Sequence, residues 1–530
     1  MIQDFHEFQD GAVVSADVCI VGAGAAGITI AREFIGTHHS VVLLESGGIA
    51  AEAETQRLYD SEIVGLPHDS IEQGRARIFG GTTTLWGGQA LRFDDIDFKK
   101  RTWVPLSGWP ISRGELEPYY QRAERVLQIG TPIAYQDLCT EFGIKPPEFD
   151  AGKLEMECSQ WSPRPNFGQE YREEIRRAAN ISTILHANVI GIITNSPATA
   201  VEKIEFQTLT GRKGSATARF FIICCGGIET ARLLLASDRV ESCGVGNRHD
   251  LVGRYYQEHP MFWYGKLQTE NRPRLQDLFE SFYRKGLKYF PIIQLSKKFQ
   301  EENQVLNIQG SITLEDSPDS AITAMKSLFR AVKARSNPGG RELRRLIGNA
   351  LTDPWQLFRL AYRFRVQRRA ATPQKGRITF GGQCEMAPNA DSRVSLAEER
   401  DELGMRRVRL DWRLGELERR TAAEYIKLVA GEFARLGLGT YDLEPLKDLD
   451  AAGWDALAHD SAHHMGTTRM HESAQFGVVD SNCKVHGISN LFVGSSAVFP
   501  TSSRSNPTMT ILALSIRIAD RLKQISSGEL

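Results

Sequence analysis

Two runs of consecutive apolar residues, DVCIV at 17–21 and SVVLLE at 40–45, frame the first fifty positions. Continuous β-branched runs of this length suit strands buried on both faces of a parallel sheet. Between them, ITIAREFIG at 28–36 reads as a helix. Later the period changes. ANVIGI at 187–192 reads as one more strand, while SRVSL at 392–396 and RRVRLDW at 406–412 alternate polar and apolar positions. That alternation within 380–412 suits an antiparallel sheet with one wet face, expected here as the floor of a second domain. ELERRTAAEYIKLVAGEFARL at 416–436 has helical periodicity and stops before Gly437. A βαβ start followed by antiparallel segments predicts an α/β chain, α+β overall.

The turn between the first strand and helix is Gly22-Ala23-Gly24-Ala25-Ala26-Gly27, and an acidic residue, Glu45, ends the second strand. Strand, G-x-G-x-x-G, helix, strand and acid together form the Rossmann dinucleotide fingerprint. Gly22 permits the turn, Gly24 lets the backbone approach a pyrophosphate, and Gly27 lets helix and strand pack. The helix N-terminus offers N–H groups to phosphate, and Glu45 would accept from a ribose diol. A second Gly-rich loop, GRARIFGGTTTLWGGQALRF at 74–93, would be surplus for a nicotinamide alone. A flavin ring needs such a second surface.

With 530 residues the chain exceeds what one core usually supports, so two domains are expected. Its 64 Lys and Arg against 65 Asp and Glu give no global pull toward nucleic acid. The eight cysteines form no C-x-x-C pair, and the adjacent Cys224 and Cys225 read as buried thiols. No apolar leader and no apolar run long enough to span a bilayer is visible, so a reduced, cytoplasmic setting is expected, with export beside a signal-bearing partner as the alternative. Residues 326–369 depart from the average: twelve Lys or Arg, two acids, and Leu, Phe, Trp and Tyr interleaved at helical spacing, with Pro338-Gly339-Gly340 between two predicted helices. A solvated insertion, a docking surface that includes membrane contact, or a lid over the site would each account for it. Nucleic-acid binding has no other support along the chain.

SAHHMGTTRM at 461–470 raises a choice between metal binding and proton transfer. His459 and His463 would share a helical face, and His464 and His471 lie near. No H-E-x-x-H pattern exists, His463 and His464 diverge on regular backbone, and Asp460 is poorly placed beside His459. No metal site is expected. A neutral imidazole suits proton transfer near neutral pH.

Four segments carry a resemblance: the turn region 17–48, GGTTTLWGG at 80–88, HHMGTTRM at 463–470, and NLFVGSSAVFPTSSRSNPTMTILAL at 490–514. GWPISRGELEPYY at 108–120 and FFIICCGGIETARLLLAS at 220–237 add to it. In these the chain resembles the glucose–methanol–choline (GMC) oxidoreductases, and in its closing segment the sugar-acting members such as pyranose 2-oxidase and bacterial glucoside 3-dehydrogenase. The resemblance implies FAD, contacted by Gly81, Thr82, Trp86, Gly87 and Gly88 in the second loop, by the Val189 backbone at the adenine, and by Gly494, Ser495, Thr508 and Met509. It implies His463, three residues before the Gly of the Gly-Thr turn, as base, with Asn506 as its partner. It further implies oxidation of a secondary CH–OH of a sugar or glycoside, such as that at C3, to a ketone, with O2 or another acceptor taking the electrons. Leu85 stands where some pyranose 2-oxidases bond a histidine to flavin, so noncovalent FAD is expected. Gly87, where those oxidases often carry Thr, leaves a dehydrogenase open.

Because both ends must meet one flavin, the FAD domain is expected from 1–95, 181–265 and 450–530, and the substrate domain from 96–180 and 266–449. Gln383 and Glu385, alternating on a predicted strand, are expected to face the substrate, with Gln89 and Arg92 as weaker candidates. Oxidation of a non-sugar alcohol (a polyol, choline-like or sterol substrate) and a flavin-containing cyanohydrin lyase are the competing readings, with a flavin-binding scaffold without catalysis behind them.

Overall fold

The strand Ala12–Val21 has its second half, Val18–Val21, fully enclosed, as an apolar run flanked on both faces should be. It lies between Val41–Leu44 and Lys213–Ile223, parallel to both. Ile2–Asp4 and Ile181–Leu185 extend the parallel row on one side, and Leu491–Val493 pairs with Lys213–Ile223 on the other. Val201–Gln207 and Asn188–Thr194 then continue antiparallel, completing eight strands. The structure is a computed structural model that describes residues 1–314, 320–333, 339–370 and 376–528.

A second, largely antiparallel sheet of nine strands runs in the order 440–441, 261–268, 378–384, 308–314, 287–295, 154–161 and 89–90, with 282–284 and 458–459 paired to its members. The helix Glu416–Arg435, ending one residue short of its predicted limit, buries Thr421, Tyr425, Val429 and Phe433. Tyr425 donates from its hydroxyl to the Ile293 carbonyl of this sheet.

Two placements differ from the sequence reading. Arg393–Arg400 and Arg406–Asp411 do pair antiparallel, but they join Ser61–Ile63 in a separate three-stranded sheet rather than the nine-stranded floor. Alternation reports one wet face; it carries no information on which sheet a hairpin joins. The helix Arg113–Leu127, capped by Ser112 and Glu115, packs on Thr508–Ser527 through Tyr120 and Thr510. Among the described residues, the region 326–369 holds three α-helices, Ala321–Lys333, Gly340–Leu351 and Pro354–Tyr362, and the π-helix Arg363–Gln367, where two helices were predicted, and Pro338 lies outside the described residues.

Candidate active site

A cavity of about 590 Å3 runs from the first Gly-rich turn to the histidine segment, so it draws on both ends of the chain. At the turn, a Cβ on Gly27 would fall 1.9 Å from the Gly22 carbonyl oxygen, and one on Gly22 would sit 2.7 Å from the Cys224 carbonyl. Gly24 is the opposite case: the nearest atom to its Cβ position is the Gly81 Cα at 4.0 Å, so its bare backbone opens on the cavity. Two of these glycines therefore serve packing, and one leaves room for a ligand.

Three helices begin on this cavity: Ala25–Glu33, Gly226–Ala236 and Thr508–Ser527. None has a side-chain cap. Their first N–H groups have no partner within the helix, and each helix presents its positive dipole end. Uncapped N-termini around one cavity suit an anionic ligand such as a pyrophosphate. Farther along, Glu45 accepts from the Ala23 and Gly47 amides at 2.8 and 2.9 Å, and its burial holds the carboxyl above the usual range despite those donors. Val189, Arg75 and Arg77 line the same end. Both arginines lie over the Tyr59 ring, at 3.9 and 4.4 Å, and both pair with Glu229. Sequence reasoning missed these two, because nothing in GRARIF distinguishes them from surface arginines.

His463 and Asn506 occupy the other end, with Leu85, Trp86, Gly87, Gln89 and Trp161 on the wall. Asn506 Nδ2 lies 3.3 Å from His463 Nε2. The positions arise from backbone bridging. Met465 and Gln257 exchange N–H···O bonds of 2.9 and 3.0 Å, and Gly466, at φ 84°, fits only because a side chain there would meet the Tyr255 carbonyl at 2.3 Å. This seam lays Glu258 and His259 against His463. The His463 amide donates to both Glu258 oxygens, at 2.8 and 3.0 Å, and Ser461 Oγ donates to Glu258 at 2.8 Å. His259 Nδ1 lies 2.9 Å from His463 Nδ1, and His259 Nε2 lies 3.1 Å from the Ser502 carbonyl.

These partners assign the tautomers. A carbonyl only accepts, so His259 carries its proton on Nε2. Burial holds the His259 ring below its ordinary pKa, hence neutral, which leaves Nδ1 an acceptor. His463 must then donate from Nδ1, leaving Nε2 with a lone pair toward Asn506. Burial, with His259 beside it, pushes the His463 pKa down to about 3, while Glu258 acts in the opposite direction. Glu258 is fully buried; burial works against its charge, but the His68 hydrogen bond and the facing His464, His68 and His463 outweigh it and hold the carboxyl well below the usual range. The arrangement is a neutral imidazole with an ordered lone pair and an amide donor beside it, suited to taking a proton from a hydroxyl group.

The other sequence-predicted residues divide. Gly81, Thr82, Trp86, Gly87, Val189, Ser495 and Thr508 line the cavity with the residues above. Gly88, Gly494 and Met509 stand behind the wall: Gly494 is packed on Cys224 and Ile30, and Met509 is buried in the core. Gln383 and Glu385 are not brought to the cavity. Gln383 donates to the Arg504 carbonyl at 2.7 Å, and Glu385 lies past the strand's end, held by both terminal nitrogens of Arg101. Arg92 is tied up with Glu117 and Glu124. Of the histidines, His464 packs against His68 and Tyr256, with Nε2 3.7 Å from Glu258.

Fold and cavity together define a dinucleotide-dependent oxidoreductase with room for a flavin. Comparison with known proteins takes this one step further. Residues 17–246 match the family model described as FAD dependent oxidoreductase, and 388–515 the model described as GMC oxidoreductase. The chain is 25% identical to the 2-methyl-1,2-propanediol dehydrogenase of Mycolicibacterium austroafricanum, covering 96% of this chain and 95% of that protein. It is 22% identical to the fructose dehydrogenase large subunit of Gluconobacter japonicus, covering 96% and 98%. Among solved structures, pyridoxine 4-oxidase from Mesorbium loti superposes with a TM-score of 0.59 at 18% identity, over 95% of this chain and 98% of that one. Over 388–515 the chain is thus similar to the GMC oxidoreductases. It is an FAD-dependent oxidoreductase.

Proposed function

We propose that this enzyme oxidises a CH–OH group of a sugar or glycoside to a carbonyl, with His463 as the base and Asn506 holding the reacting oxygen. The pairing of His463 Nε2 with Asn506 Nδ2 on the cavity wall is the observation that carries the reading. FAD, held in this cavity, would supply an acceptor for the hydride of the substrate carbon. His463 takes the hydroxyl proton on Nε2 while its Nδ1–H stays donated to His259. Asn506 donates to the oxygen as negative charge builds there. Glu258 offsets the charge of the imidazolium that results. Gly24, Gly81 and the three helix N-termini would hold the pyrophosphate, and Glu45 and Val189 the adenosine side.

A hydroxylated substrate is supported by unpaired polar groups on the wall. Asn506 Oδ1 and Trp161 Nε1 are buried without a partner among the described residues, and Gln89 lies beside them. A secondary ring hydroxyl, such as that at C3, remains our choice among carbons. The name of the propanediol dehydrogenase favours a second reading, a small non-sugar diol. An acceptor other than O2 fits Gly87, where a Cβ would meet the Trp161 ring at 2.7 Å, so the Thr of the oxidases has no room. Noncovalent FAD fits Leu85 on the wall and a Cys225 thiol that burial pushes up to about 12, both poor partners for a flavin bond. Anaerobic mixing with glycosides, free sugars and small diols tests the substrate class: bleaching of the flavin band by glycosides or sugars is expected, and bleaching by diols alone selects the second reading. Bleaching by none, with cyanohydrin cleavage, selects a lyase. Acid precipitation should leave the yellow colour in solution.

A further inference from the structure

The helices of 321–362 form a small core of Ala324, Leu346 and Ala350, with Leu328 packed against it. Several of their large apolar side chains face outward. Leu351 is 69% exposed, Trp355 66%, Phe358 58% and Tyr362 47%. Trp355, Phe358 and Tyr362 stand at i, i+3 and i+7 of one helix, so they share a face. Ile347 and Leu351 on the preceding helix, and Phe364 and Val366 just after this one, are further exposed apolar side chains. The Trp355 and Phe358 rings stack at 5.3 Å. Soluble surfaces scatter such side chains singly; a stripe such as Trp355, Phe358 and Tyr362 marks contact with something.

The charge beside the stripe indicates what that is. The chain as a whole balances 64 basic against 65 acidic residues, yet 326–369 holds twelve Lys or Arg and only Glu342 and Asp353. Lys326, Arg341, Arg344, Arg359, Arg365 and Arg368 are exposed there. Among the described residues no helix is long and apolar enough to cross a membrane. Short amphipathic helices with aromatic and aliphatic side chains on one face and arginines flanking them fit a bilayer interface, the apolar side chains among the acyl boundary and the cations on lipid phosphates. The stripe is fixed to the body: Arg363 pairs with Glu280, Phe364 packs edge-on against Tyr283, and the Arg369 guanidinium lies 3.6 Å above the Phe282 ring.

We propose that this face docks the enzyme on an anionic lipid surface. The test is cosedimentation of the flavin-loaded full chain with phosphatidylcholine vesicles, with and without phosphatidylglycerol. Binding is expected at least about tenfold stronger with the anionic lipid, and weaker in high salt. Arg344→Glu with Arg359→Glu should remove the anionic preference. Trp355→Ala with Phe358→Ala should lower binding on the order of tenfold or more. Unchanged flavin absorbance in each variant shows that it is folded. Binding to neither vesicle, equal binding to both, or an aromatic double variant that binds like the parent overturns the proposal. So does a dimer in solution that the aromatic double variant splits, because a second copy would then cover the face.

Discussion

The two ends of the cavity are built from different materials. At the nucleotide end the working groups are backbone, namely Gly24, Gly81 and three uncapped helix starts. At the histidine end they are side chains drawn from 258–259, 461–463 and 506, held by one another and by the Ser502 carbonyl. A backbone site fails when it is filled, whereas a side-chain site fails when it is emptied. Substitutions at the first should therefore abolish flavin binding, and substitutions at the second should slow the reaction with flavin still bound.

The largest effect is expected from Gly27→Leu. Its Cβ would overlap the Gly22 carbonyl, so strand and helix separate and bound flavin is lost, read as the ratio of absorbance near 450 nm to that at 280 nm in the purified chain. Gly24→Val is the sharper case, because the added atoms meet empty cavity rather than protein. Its melting temperature should stay close to that of the parent without FAD while flavin content falls. Full flavin content in a folded Gly24→Val chain would break the comparison at this end.

Next comes His463→Ala, expected to slow anaerobic flavin reduction by about 10²–10⁴ with FAD retained. Asn506→Ala should cost roughly 10². In the parent the base must be deprotonated to work. With its pKa pushed down to about 3, reduction should be level through neutral pH and fall only as the medium becomes strongly acidic. A limb centred near the ordinary histidine value would show that the ring is less buried in the working enzyme.

His259→Leu removes the acceptor for the His463 Nδ1 proton. Ser461 Oγ, 3.1 Å away, remains as a substitute, so a loss of on the order of tenfold is expected, with FAD retained. His259→Asn, whose amide oxygen can accept, should recover most of it. Equal loss in both variants would mean that His259 only fills space.

The smallest effect on rate belongs to His464→Ala. That ring packs among His68, Tyr256 and Glu258, so the variant should melt at lower temperature and reduce its flavin less than tenfold more slowly. If His464→Ala stops reduction and His463→Ala does not, the roles are shifted by one residue.

The same contrast explains what could be read from the chain. The turn at 22–27 and its acid at 45 lie within one βαβ unit, so local spacing carried them, and a resemblance over short segments located His463 and Asn506. Glu258 and His259 stand about two hundred positions before His463 and meet it through the Met465–Gln257 seam, which no local pattern announces. Gln383 and Glu385 illustrate the limit of periodicity. Alternation said that they share a side; it could not say that Arg504 and Arg101 wait on that side. A buried Glu–Arg pair resembles an exposed strand face when only one strand is in view.

The strand Leu491–Val493 and the helix Thr508–Ser527 also fix an order of assembly. The N-terminal strand and its turn leave the ribosome first, yet the sheet gains its last parallel neighbour, and the cavity its third helix start, only from residues made some 470 positions later. Through most of synthesis the turn at 22–27 thus exists without the opposite wall of its cavity. Cofactor uptake is in this sense a late event, and a nascent chain stalled before 508 should emerge colourless however well its first strands have folded.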